Sequence, residues 1–164
     1  MSFKTADLLD NNERRHRDGS IRIVTPMFQR YGGRRTFSGQ IVTLKVFEDN
    51  SLVRTALAEN GEGKVLLIDG GGSLRCALVG DQLAILAHQN HWCGIVVYGC
   101  IRDSHDIGEI ALGVRALNTH PLKSIKKGIG ERDLAVSFGG VTFRPGEWIY
   151  VDEDGLLVSD QPLT

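Results

Sequence analysis

Two short apolar runs, Val65-Leu66-Leu67-Ile68-Asp69 and Gly94-Ile95-Val96-Val97-Tyr98, bracket a segment of different period. Each run is dominated by branched aliphatic residues without polar alternation, the pattern of a strand covered on both faces. Between them, from Asp81 to Asn90, Leu83, Ala84, Leu86 and Ala87 fall on one face of a helix whose mouth is Gly80-Asp81. Strand, helix and strand in that order predict a βαβ unit. A right-handed crossover gathers the end of the first strand, the start of the helix and the end of the second strand at one sheet edge. Gly99-Cys100-Ile101 carries the second strand on to Arg102 and Asp103. Asp81, Arg102 and Asp103 are therefore expected to meet, although twenty residues separate Asp81 from Arg102.

The rest of the chain reads in shorter pieces. Thr5 to Asn11 and Leu52 to Asn60 suit helices, and Ile21 to Thr25 suits a strand. Gln40 to Phe47 alternates, with Ile41, Thr43, Lys45 and Phe47 opposite Val42, Leu44 and Val46. Ala135 to Phe138, Val141 to Phe143, Trp148 to Asp152 and Leu156 to Ser159 read as short strands joined by Gly-containing turns, Pro145-Gly146 and Asp154-Gly155 being the clearest. Gly70-Gly71-Gly72 reads as a tight turn after a strand, because it lacks both the dinucleotide fingerprint and the phosphate-loop lysine. The mixed order predicts an α/β fold in which a βαβ core supports additional strands. A chain of 164 residues suffices for one domain over 1–164, burying about 70% of its unfolded surface.

The expected cluster has definite chemistry. Asp103 is a candidate for direct contact with a divalent cation, and Asp81 for orienting one of the cation's waters. One direct carboxylate suits magnesium, which keeps several waters in an octahedral oxygen shell, and manganese shares that ligand chemistry. Arg102 offers a planar fork to a carboxylate or oxyanion. The amides from Gly80 to Leu83 precede the first intrahelical bonds and add an anion site at the positive end of the helix. A small oxo acid fits these parts. The same residues also suit ordinary first-turn stabilisation and a solvated ion pair. Lys45 and Lys64 are formal candidates for the competing lysine-enamine chemistry, which needs a desolvated amine.

Charge and remaining motifs narrow the classes. The formal net charge of -1 disfavours nonspecific nucleic-acid binding as the main activity, and no direct sequence-specific nucleic-acid binding is expected. Two basic patches, Arg14-Arg15-His16-Arg17 with Arg22 and Lys123-Ser124-Ile125-Lys126-Lys127, read first as solvated faces and second as contacts for a nuclease or RNA complex. Cys76, Cys93 and Cys100 have no metal-binding spacing and suit reduced thiols, with Cys100 in packing. His88 and His91 lack a ligand constellation, and His105 lies near the proposed site in a loop. The N-terminus is charged where a secretory segment would be apolar, and no run is long enough to span a bilayer; a cytoplasmic protein without membrane attachment is expected.

Four stretches, FSGQIVTLKVFEDN (37–50), GGGSLRCALVGDQLA (70–84), GIVVYGCIRD (94–103) and GIGERDLAVSFGGVTFRPGEWIYVDEDGLLV (128–158), together resemble one family. They are similar to the regulators of ribonuclease activity A and their relatives, the class II 4-hydroxy-4-methyl-2-oxoglutarate aldolases. The resemblance covers nearly the whole chain. Its aldolase branch carries an aspartate, twenty intervening residues and Arg-Asp, matched here at Asp81, Arg102 and Asp103. The resemblance implies that Asp103 holds the metal, that Arg102 contacts substrate, and that Gly80, Asp81, Gln82 and Leu83 contribute to the substrate pocket. It implies aldol cleavage of 4-hydroxy-4-methyl-2-oxoglutarate and decarboxylation of oxaloacetate through one pyruvate enolate. It also implies a three-layer β/β/α swivelling-domain fold assembled as a ring-shaped homotrimer. Regulators that bind the RNA-degrading endonuclease share the scaffold and the arginine but can lack the acid after it, which is present here. The older family label of menaquinone methyltransferase would rest on Asp69-Gly70-Gly71-Gly72, which alone does not make a methyl-donor site.

Overall fold

Residues with aliphatic side chains on both faces of a strand need a covering layer on each side, and the computed structural model, which describes residues 2–164, supplies both. The chain opens with α1 (Thr5–Asp10), α2 (Glu13–Arg17), β1 (Ile21–Ile23), β2 (Gln29–Tyr31), β3 (Phe37–Lys45) and α3 (Ser51–Leu57). The centre follows as β4 (Lys64–Asp69), β5 (Ala77–Val79), α4 (Asp81–Gln89), β6 (Gly94–Ile101), α5 (Ser104–Gly108) and β7 (Gly113–Thr119). The remainder is β8 (Glu131–Arg132), β9 (Val136–Phe138), β10 (Val141–Phe143), β11 (Trp148–Val151) and β12 (Leu156–Ser159). The main sheet runs β1-β12-β11-β3-β4-β6-β7-β2, with β5 added on β6 and β8 on β3. The four strands from β3 to β7 are mutually parallel and their outer neighbours antiparallel.

Alternate residues of the central strands face opposite layers. Leu66, Ile68, Ile95 and Val97 pack with Val53, Ala56 and Leu57 of α3 and Leu83, Ala84 and Ala87 of α4. Val65, Leu67 and Val96 pack with Val136, Phe138, Val141 and Phe143 of the β9–β10 hairpin. The result is an α/β fold layered as hairpin, mixed sheet and helices. At one edge of the sheet a smaller cluster of Leu8, Ile21, Tyr150 and Leu157 seats α1. There the Asp152 carboxylate accepts hydrogen bonds from the Thr5 amide (2.7 Å) and hydroxyl (2.8 Å).

Differences from the sequence reading have local causes. β3 begins at Phe37 rather than Gln40, because the facing glycines Gly94 and Gly113 leave a slot that the Phe37 ring fills; a Cβ on Gly113 would lie 2.0 Å from it. Phe47, assigned to the same strand, lies beyond its end and is exposed. The βαβ unit is interrupted: β5 precedes α4 and pairs in parallel with the far end of β6, Ala77 opposite Cys100 and Val79 opposite Ile101. The helix is thus fed by β5 instead of β4. His105, expected in a loop, sits exposed on α5.

Candidate active site

The end of β5 and the end of β6 deliver their charged residues side by side. The Arg102 amide donates to the Val79 carbonyl at 2.9 Å, which closes the parallel pair at the point where Gly80 begins the turn into α4. One residue on, Oδ2 of Asp103 accepts a hydrogen bond from the Asp81 amide at 3.0 Å. The carboxylate of Asp103 therefore sits at the positive end of α4. The Ala84 amide is engaged by the Gly80 carbonyl, whereas the amides of Gln82 and Leu83 precede the first intrahelical bond.

Gly80 is needed for space. Its φ is -119°, open to any residue, but a Cβ there would lie 2.9 Å from Asp103 Oδ2 and 3.4 Å from Arg102 Nε. Asp103 takes the left-handed conformation, φ 56° and ψ 41°, as the cap of α5. Aspartate tolerates that region better than most residues, and such positions concentrate at functional sites. Arg102 is half-buried, and its guanidinium makes one long contact, Nη1 to the Pro121 carbonyl at 3.5 Å. Its remaining donors are free for a ligand.

These groups line a hollow of ≈ 150 Å³ that also includes Asn50, Arg54, Lys123 and Lys126. Asp81, Arg102 and Asp103 are thus brought together with Gly80, Gln82 and Leu83. Sequence reasoning missed the other four. Asn50 and Arg54 arrive at the start of α3, and the lysines belong to the patch read as a solvated face. The one local signal was Asp49-Asn50-Ser51, an aspartate two residues ahead of a helix-opening serine.

The donor set fits a hard cation that keeps most of its water. Asp81 and Asp103 offer oxygen only, and no cluster of three or more His, Cys, Asp or Glu suited to a metal occurs among the described residues. His88 and His91 are exposed. Lys45 and Lys64 are exposed at opposite ends of the parallel strands and neither lines the hollow, so the desolvated amine that enamine chemistry needs is absent from both. The turn at Gly71-Gly72, both with positive φ, is closed by the Gly71 amide on Asp69 Oδ1 at 2.9 Å, as expected of a tight turn.

A second, larger hollow of ≈ 300 Å³ lies around Arg30, Arg34, Arg35 and Arg115. Arg115 is 1% exposed and stacks over the Phe37 ring at 5.4 Å. Its guanidinium donates to the carbonyls of Val114 (3.1 Å), Arg35 (2.7 Å) and Asp152 (3.4 Å). Burial, followed by the nearby charge of Arg30, lowers its pKa to about 10 against the opposing pull of Asp152 and Glu153.

Comparison with known proteins points to one family and one fold, whose members carry several names. The family described as RraA-like, Aldolase/RraA, matches residues 5–158. A protein of Dechloromonas aromatica named "Putative 4-hydroxy-4-methyl-2-oxoglutarate aldolase" is 69% identical over 164 residues, all of both chains. One of Aromatoleum aromaticum with the same name is 65% identical over 99% of each chain. Among solved structures, the RNA-processing inhibitor RraA of Thermus thermophilis superposes with a TM-score of 0.92 at 43% identity, covering 99% of this chain and 95% of that one. A Geobacillus kaustophilus structure described as an S-adenosylmethionine: 2-dimethylmenaquinone methyltransferase gives 0.93 at 46% identity, covering 98% and 97%.

Proposed function

The chain belongs to the RraA-like, Aldolase/RraA family, and from that premise we propose that it is a pyruvate-forming lyase that cleaves 4-hydroxy-4-methyl-2-oxoglutarate with the help of a divalent cation. The observation that carries this reading is the meeting of Asp81, Arg102 and Asp103 at the mouth of α4, where Asp103 Oδ2 holds the Asp81 amide. The shared name of the two relatives supports the same substrate.

The residues present fit magnesium or manganese, with Asp103 as the direct ligand and Asp81 orienting a water. When bound, such a cation acts as a Lewis acid that polarises the carboxylate and keto oxygens of a 2-oxo acid. Arg102 lies beside the keto oxygen and holds the negative charge that grows there as the C3–C4 bond breaks, more strongly than it holds the starting ketone. The free amides of Gln82 and Leu83 receive the substrate carboxylate. Asp81, through an ordered water, removes the proton of the C4 hydroxyl while C4 becomes a carbonyl, and returns a proton to C3 of the enolate. Both products are pyruvate. Oxaloacetate loses carbon dioxide through the same enolate, so decarboxylation accompanies cleavage.

The test is pyruvate release from both substrates by wild type and Asp103→Ala, with and without magnesium. Release that requires the metal and disappears in a folded variant supports the lyase. Equal absence in both proteins abandons it, and cleavage that survives thorough metal removal with borohydride trapping on a lysine replaces the metal mechanism.

The likeness to an RNA-processing inhibitor favours a second reading, a noncatalytic regulator of the RNA-degrading endonuclease. Direct binding and inhibition of that endonuclease by the Asp103→Ala protein would favour it. We further infer a homotrimer in the cytoplasm. Exposed Phe47, Ile125 and Ile129 line one depression that a neighbouring subunit would cover, and no described helix is long and apolar enough to cross a membrane.

A further inference from the structure

Asn50 is the N-cap residue of α3, the position from which an asparagine side chain ordinarily accepts an amide of the first helical turn, and it makes no such bond. Asp49 has taken that duty: its Oδ1 accepts the amide and the hydroxyl of Ser51 at 2.9 and 2.6 Å. Its Oδ2 clamps a distant loop through the amides of Lys127 (2.8 Å) and Ile129 (3.1 Å). Released from the cap, the Asn50 side chain turns to β5 and donates Nδ2 to the Leu78 carbonyl at 3.0 Å, while its backbone amide is held by the buried Ser124 hydroxyl at 3.1 Å. A carbonyl only accepts, so the Leu78 bond fixes which end of the carboxamide faces it. The other end is Oδ1. That atom is buried and has no hydrogen-bond partner, and Asn50 is part of the wall of the hollow at the mouth of α4.

An acceptor closed off from solvent is costly unless a donor reaches it. Arg54, Arg102, Lys123 and Lys126 line the same hollow, yet none donates to this oxygen. The substrate's carboxylates and ketone also only accept. Its one donor is the C4 hydroxyl, whose proton must leave as the C3–C4 bond breaks. The water that takes this proton for Asp81 has two hydrogens of its own, and a water in such a place makes about three hydrogen bonds. One hydrogen goes to the Asp81 carboxylate. The second needs an acceptor that does not compete for the proton in transit, and a carboxamide oxygen is one.

We propose that Asn50 is a positioning residue for proton transfer: its Oδ1 accepts one hydrogen of the water shared with Asp81 and so turns the water's lone pair toward the C4 hydroxyl. The inference rests on the lyase reading. In cleavage the hydroxyl proton passes to the water, and the water's other proton passes to Asp81. The O–H pair becomes the second bond of the C4 carbonyl, and the C3–C4 pair becomes the enolate double bond as the ketone pair moves onto the keto oxygen. The return path carries the proton from Asp81 through the water to C3. Asn50 keeps its hydrogen bond and its protonation throughout. Oxaloacetate has no hydroxyl to deprotonate, so its loss of carbon dioxide does not need the water turned this way.

Three probes test the proposal on the full chain with magnesium: 4-hydroxy-4-methyl-2-oxoglutarate, oxaloacetate, and pyruvate in deuterium oxide, whose C3 hydrogens exchange through the same water and are followed by proton NMR. Asn50→Leu removes the acceptor in a side chain of similar size. It should lower exchange and cleavage together by roughly 10², with a several-fold smaller loss of decarboxylation. General loosening of the fold would lower all three alike. Asn50→Asp keeps an oxygen but sets a second negative charge beside the water, which holds the proton more tightly and should move the acid limb of the exchange profile up by about one pH unit. Should Asn50→Leu fail to fold, that profile decides alone. Equal losses in the three reactions, or an unmoved profile in Asn50→Asp, overturns the assignment. Wild type that exchanges pyruvate hydrogens but releases no pyruvate from either acid overturns the lyase reading, while the Asn50→Leu effect on exchange still decides the positioning role. Wild type inert toward all three probes overturns both.

Discussion

Arg102 and Arg115 stand in two hollows of one sheet, and the larger hollow is the less promising. Around Arg115 the donors are already engaged by three backbone carbonyls, its guanidinium face by the Phe37 ring, and the neighbouring Arg30 and Arg35 by Glu153 at 3.2 and 3.4 Å. Around Arg102 the volume is half as large, yet the guanidinium has only its long contact to the Pro121 carbonyl, and the Gln82 and Leu83 amides and three further cations lack internal partners. Unused hydrogen-bonding capacity, more than volume, separates a site from a structural crevice. Arg115 acts as a strut that joins β7 to the loop at Arg35 and the turn at Asp152.

That contrast can be broken by experiment. Arg102→Met should lower kcat for pyruvate release by roughly 10²–10³, about 2.7–4 kcal/mol of transition-state stabilisation, with little change in the unfolding midpoint. Arg115→Met should do the reverse: about 2–3 kcal/mol of stability lost in urea titration, because buried carbonyls lose their donors, with turnover per folded molecule retained. If the folded Arg115→Met protein is inactive, the two hollows have been assigned the wrong way round.

A gentler probe is Gly80→Ala, whose methyl group displaces Asp103 and Arg102 without removing either; roughly a tenfold fall in kcat/KM is expected from the misplacement, read against an unchanged circular dichroism spectrum. The smallest effect concerns Asp49. Burial pushes its pKa up, but the Ser51 hydroxyl and amide and the amides of Ile129 and Lys127 outweigh that and hold it well below the ordinary aspartate value of 3.8. The folded chain binds this proton less tightly than the unfolded one, so the ionised group stabilises the fold above that ordinary value, and the contribution is lost as pH falls through the lowered one. The stability gap between wild type and Asp49→Asn should therefore be present at neutral pH and close in acid.

What could be read from the amino acids was whatever depends on near neighbours. The aliphatic runs at Val65 and Gly94, the helical spacing after Asp81 and the Asp154-Gly155 turn each declare themselves within a dozen residues, and each appears where expected. β7 escaped because Arg115 interrupts its apolar run, and only tertiary carbonyls make a buried arginine tolerable there. β5 escaped because three residues, Ala77 to Val79, carry too little periodicity to separate from a loop. α2 has no buried residue at all, so it shows no apolar face. In the site, Asp81, Arg102 and Asp103 were linked by the crossover, whereas Arg54 and Lys126 meet them through contacts between segments distant in sequence, the Asp49 clamp, the Ser124 hydroxyl on the Asn50 amide and the bridge of Lys123 to Ala77 among them.

Asp103 occupies a left-handed turn that asparagine fits as readily as aspartate. Exchanging the acid for its amide would silence the charge while leaving the cap of α5 and the acceptor for the Asp81 amide in place. On the proposed chemistry, a single substitution at this position would thus withdraw the acid while the surrounding backbone stays as it is.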